Sequence, residues 1–148
     1  MLLRSLLFGI AILSLAVNVE AAKVTRFVVT CVDRQEATDD DVYLAGVRDG
    51  QPVPWGPNHQ DGTSSDNSVD LDDETDDKEN VLTLDAKSLA ELTFNATLEI
   101  TIKEKDITEE QVLGTVKITP DDGTKKVVLR GAQGNDVFEY HVEYTVVK

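Results

Sequence analysis

The sequence predicts an all-β fold, an antiparallel β-sandwich of about seven or eight strands with long acidic loops. Three observations carry that reading. Apolar and polar residues alternate with a period of two along several short segments. Clusters of Gly, Pro, Asn and Asp separate those segments. No stretch carries the caps and the 3.6-residue period of a long helix.

Composition limits function before any motif is considered. The chain has 148 residues, with 28 Asp+Glu against 14 Lys+Arg, a net charge of −14. That field repels phosphate and excludes nucleic-acid binding through a basic face. It also opposes docking on an anionic membrane unless cations bridge the two surfaces. Hydrophobic residues make up 41% of the chain, enough to build a core, so wholesale disorder is not expected.

Residues 1–21 read as a secretory signal peptide. Arg4 supplies the positive start, Leu6 to Val17 the apolar run, and Val19-Glu20-Ala21 the cleavage site. The apolar run is shorter than the roughly 20 residues a membrane-spanning helix needs. Cleavage after Ala21 leaves residues 22–148 as a single sandwich domain, secreted and extracellular, or periplasmic in a bacterium. Cys31 is the only cysteine, so no intrachain disulfide forms, and its apolar neighbours predict a buried small side chain.

The strands follow in order. Val24 to Val32 is rich in Val, Thr and Phe. After a polar break, Val42 to Val47 forms a second strand; Asp49-Gly50 and Pro52, Pro54 and Pro57 interrupt the chain. Residues 61–79 read as a long acidic loop with a short strand near Ser68 to Leu71. Asn80 to Leu84 is a short strand. The spacing of Leu89, Leu92 and Phe94 fits either a helical turn or the start of a strand. Phe94, Ala96, Leu98, Ile100 and Ile102 then alternate with Asn95, Thr97, Glu99, Thr101 and Lys103. Val112, Gly114, Val116 and Ile118 repeat the pattern. Pro120-Asp121-Asp122-Gly123 is a turn, Lys125 to Arg130 a strand and Gly131 to Asn135 another turn. The last strand sets Phe138, Tyr140, Val142, Tyr144 and Val146 against Glu139, His141, Glu143 and Thr145.

Charge concentrates in the connections. Residues 33–79 hold fifteen acidic residues and three basic ones. Two segments there and later share one design. Cys31 to Tyr43 ends a strand in an acidic loop and opens the next with Asp41-Val42-Tyr43. Leu98 to Ile118 runs an alternating strand into Glu104-Lys105-Asp106 and resumes at Val112-Leu113-Gly114. These segments resemble the calcium-binding loops of the C2-type domain, the calcium- and lipid-binding β-sandwich. The resemblance implies a Ca²⁺ site ligated by Asp33 and Asp41 from the first loop and by Glu104, Asp106 and Glu110 from the later one. Ca²⁺ takes six to eight oxygen ligands, mostly carboxylate and carbonyl, which suits such a set. The chain departs from the family pattern in using Glu104-Lys105-Asp106 where two aspartates are usual, and in carrying no basic cluster near these loops.

Other constellations point elsewhere. His141 lies between Glu139 and Glu143, which predicts a surface ion pair. His59 with Asp61 offers only two metal ligands. No nucleophile-elbow motif is present, so the chain is read as a non-enzyme. Trp55, among three prolines, reads as a plug for its loop. Asn95-Ala96-Thr97 is a glycosylation sequon with Asn95 as acceptor. The expected function is a secreted acidic module that binds Ca²⁺ at one end to engage a protein or carbohydrate partner. The alternative is a structural or interaction protein of matrix or cell surface without specific metal binding.

Overall fold

The computed structural model describes residues 20–33, 40–53, 69–71, 80–105, 110–133 and 136–148. The first sheet contains β1 (Ala22–Asp33), β5 (Val81–Thr83), β6 (Thr93–Phe94), β9 (Thr124–Gln133) and β10 (Asp136–Val147). Its order is β5-β1-β10-β9, with β6 also paired to β1. The second contains β2 (Asp40–Arg48), β3 (Gln51–Pro52), β4 (Val69–Leu71), β7 (Leu98–Lys105) and β8 (Glu110–Ile118). Its order is β3-β2-β7-β8, with β4 also on β2. All pairings are antiparallel. Among the described residues one helix of five residues, α1 (Ala86–Ala90), interrupts the strands.

Alternation decides which side chains fill the interior. Phe27, Val29, Tyr140, Val142 and Tyr144 from the first sheet join Val42, Leu44, Leu98, Ile100, Ile102 and Ile118 from the second in one core cluster. An inward set on every second residue is what a strand with one wet face produces. Cys31 is buried in the same cluster at 2% exposure, as its neighbours predict. The two twelve-residue strands, β1 and β10, pair along most of their length at the centre of the first sheet.

Ten strands lie among the described residues, and those added to the expected set are the two-residue β3 and β6. The short strand expected near Ser68 to Leu71 is present as β4. Pro52 does not break the sheet. It sits in β3 opposite Val47, on an edge strand, where a residue without an N–H is tolerated. Asp49 and Gly50 turn the chain between β2 and β3 with φ of 48° and 80°. Paired positive φ values are what a tight two-residue hairpin requires.

The ambiguity at Leu89 to Phe94 resolves into both structures. Asp85 caps α1 by accepting the Ser88 N–H at 2.7 Å, and β6 follows two residues after the helix cap.

Three expectations are corrected. Residues 94–103 do not form one strand. Phe94 belongs to the first sheet and Leu98 to the second, and the chain crosses between them at residues 95–97. Ala96 is therefore exposed, not inward. In β8 the register shifts between Ile102, opposite Gly114, and Lys103, opposite Val112. This bulge puts Leu113 inside at 4% exposure and Val112 outside at 61%. The turn expected over Gly131 to Asn135 is also shorter, since β9 continues to Gln133.

Candidate functional site

The strand registers gather the acidic connections at one end. Asp33 at the end of β1 lies opposite Glu139, next to the β9–β10 hairpin. The β1–β2 connection, residues 34–39, spans at most about 25 Å when fully extended. A strand as long as β2 covers roughly 30 Å, so β2 starts at the end where β1 stops. Val42 pairs with Glu104 and Lys105 pairs with Glu110, which brings the end of β7 and the start of β8 to the same place. Asp40 pairs with Leu71, so β4 leaves toward residues 72–79 there as well.

The candidate ligands occupy different positions at this end. Asp33 is exposed on the first sheet. Glu104 continues the inward series Leu98, Ile100, Ile102 and is only 3% exposed. Asp41 precedes the inward Val42 and lies on the outer side of the second sheet, half-buried. Adjacent residues in a strand point to opposite faces, so Asp41 and Glu104 flank the second sheet from its two sides. Asp106 lies outside the described residues, and Glu110 is described by its backbone alone. Among the described residues, no group of three or more His, Cys, Asp or Glu side chains is gathered to hold a metal ion. Residues 1–19 of the expected leader, Trp55, His59 and most of residues 61–79 also lie outside the described residues.

Just inside this end, Glu139 joins a cross-strand partner, Arg130, to His141 two residues along its own strand. Its carboxylate accepts from Arg130 Nε at 2.6 Å and lies 2.6 Å from His141 Nε2. The pairing expected for His141 is thus with Glu139. The Arg130 hydrogen bond, then the His141 contact, hold the Glu139 carboxyl down at about 2. Glu143 meets Arg26 at 3.0 Å and Lys126 at 3.8 Å on the same outer face.

The opposite end uses its acids as clamps. The Asp49 carboxylate accepts the backbone N–H groups of Asn95, Ala96 and Thr97 at 2.8, 2.7 and 3.0 Å. Asp122 accepts from the Thr119 N–H, the Thr119 hydroxyl, Lys125 Nζ and the Tyr144 hydroxyl, at 2.9, 2.8, 2.6 and 2.9 Å. Lys148 bonds the neighbouring Asp121. Sequence reasoning read Asp49 and Asp122 only as turn residues. Asp-Gly in each turn was the available signal, but the partners of Asp49 lie 46 to 48 residues away.

No family model matches this chain. No curated protein matches it either. Among solved structures, one titled "Structure of a C2 domain" is similar over 86% of this chain and 98% of its own, at 10% identity and a TM-score of 0.41.

Proposed function

We propose that this chain is a secreted, single-domain acidic β-sandwich that binds Ca²⁺ at the end where its acidic connections meet, and uses that end to engage a protein or carbohydrate partner. The observation that carries the reading is topological. Antiparallel pairing sends the β1–β2 connection, the segment after β4 and the β7–β8 connection out of the same end of the sandwich. Carboxylates from separate loops are the donor set a hard cation favours.

The proposed ligands are Glu104, Asp106 and Glu110 on one side and Asp33 and Asp41 on the other. Because Asp41 and Glu104 flank the second sheet from opposite faces, an ion shared by both loops sits beyond the strand tips, not on a sheet face. The buried position of Glu104 makes it the ligand best fixed in advance. Longer Glu side chains and the nearby Lys105 favour a weak site over a tight one.

Secretion rests on the leader pattern of residues 1–21. It is supported by the start of β1 at Ala22, which is fully buried and pairs with Phe94 directly after the expected cleavage point. The second reading, an interaction module without metal, is favoured by the separation of Asp41 from Glu104. Calorimetric titration of residues 22–148 with CaCl₂ decides between them. Saturable binding at millimolar concentration or tighter supports the metal site. Heat that NaCl of equal ionic strength reproduces supports the second reading.

A further inference from the structure

We propose that Asn95 is an N-glycosylation acceptor and that its glycan stands at the end of the sandwich opposite the acidic connections. This inference rests on the reading of the chain as secreted. The sequon Asn95-Ala96-Thr97 coincides with the crossing between β6 and β7. Asn95 and Ala96 are exposed, while the flanking Phe94 and Leu98 are 1% and 0% exposed and anchor the crossing on both sides. A sugar on Asn95 therefore enters solvent without disturbing the core.

The hydrogen bonds of the crossing survive the modification. Asp49 holds it through three backbone N–H groups, none of which a side-chain sugar removes. The amide Nδ2 makes only a long 3.4 Å contact with Asp49 Oδ2, and a glycosylated amide keeps one N–H. In the folded chain the sequon backbone is committed to Asp49. Transfer therefore precedes the pairing of β2 with β7, while the segment is still extended.

The transfer balances without an oxidant or reductant. Asn95 Nδ2 attacks C1 of a lipid-linked oligosaccharyl pyrophosphate. The N–C1 bond forms as the C1–oxygen bond to pyrophosphate breaks. The amide loses one proton, and the lipid pyrophosphate departs.

Position gives the modification a consequence. Arg48 pairs with Leu98 at this end, whereas Val42 pairs with Glu104 at the other. The glycan covers the Asp49 turn and leaves the acidic end open to a cation or partner.

The test expresses the full chain in a eukaryotic secretory host, once with residues 1–21 and once with a proven leader in their place. Secreted protein is weighed before and after an amidase that removes N-glycans and converts the acceptor asparagine to aspartate. The expected result is a mass loss mapped to Asn95. Asn95→Gln and Thr97→Ala both abolish it, and Thr97→Ser retains it. Circular dichroism of the two non-glycosylated variants confirms that they fold. Secreted protein without sugar at Asn95 in the replaced-leader arm overturns the inference. Glycan in that arm, with no secretion from the native leader, upholds the acceptor and overturns the secretion reading alone.

Discussion

The backbone N–H of Asn95 donates to Asp49 Oδ2 at 2.8 Å, across 46 residues of sequence. That contact, with its two neighbours at Ala96 and Thr97, fixes the point where the chain leaves one sheet for the other. Hydrogen bonding from Asn95, followed by Ala96 and Thr97, outweighs desolvation and holds the Asp49 carboxyl below its ordinary value.

Asp49→Asn is expected to destabilise the fold by about 1 kcal/mol, because an exposed carboxylate bond is partly replaced by water. Asp49→Ala is expected to cost about 2 kcal/mol, since alanine also resists the positive φ of this turn. The contribution is present above the ordinary carboxylate pKa and is lost as pH falls through the lowered folded value. Urea denaturation of parent and variants checks this. The stability gap should be full at neutral pH and shrink in strong acid.

Tyr144 and Asp122 predict an alkaline effect of opposite sign. Burial, then the hydrogen bond to Asp122 and its charge, push the Tyr144 phenol up to about 12. The folded state thus holds this proton more tightly than the unfolded chain, whose tyrosine titrates near 10. Stability from Tyr144 is complete below pH ~10 and is lost as pH rises toward ~12. Tyr144→Phe should lose about 1–2 kcal/mol at neutral pH, because Asp122 loses a donor. Denaturation curves should show the parent converging on the variant across that alkaline window. A constant gap would contradict the assignment.

Gly131 lies beneath the Phe138 ring, its cross-strand partner. A Cβ at this position would stand 2.3 Å from Phe138 Cζ, closer than any real contact. Gly131→Ala should therefore destabilise by about 1–3 kcal/mol through overpacking. Adding Phe138→Leu should recover part of that loss. A double-mutant cycle with no coupling would show that the ring moves aside freely.

The proposed metal site predicts a melting temperature that rises with CaCl₂. Stabilisation follows RT ln(1 + [L]/Kd), about 2.7 kcal/mol at a hundredfold excess over Kd. The rise should exceed that with Mg²⁺, which demands a tighter octahedral site. Asp106→Asn and Glu104→Gln should each remove most of the calcium-specific part. NaCl at matched ionic strength is the control, because screening alone relieves repulsion in a chain of charge −14. If NaCl reproduces the full rise, or both variants respond as the parent does, the acidic end does not ligate calcium.

The sequence by itself determined most of the long strands and which of their faces meets the core. The alternation from Leu98 to Ile102 and from Phe138 to Val146 is a local record of which side meets water, and the buried residues follow it. Local pattern did not reveal how those strands are joined. The alternation of Phe94 and Ala96 continues smoothly into β7, yet the chain changes sheet there, where Asp49 binds it from the turn after β2. Val112 fits its alternation and still faces outward, because the bulge opposite Ile102 and Lys103 shifts the register. The acids of the candidate site were legible as residues, whereas their arrangement was not. Glu104 turns inward and Asp41 outward because Val42 and Glu104 share one register pair, and pairing between distant segments sets which face each residue meets. Periodicity is a property of one segment in contact with solvent. Register, crossing and convergence arise only when two segments share hydrogen bonds, and that the tertiary structure alone decided.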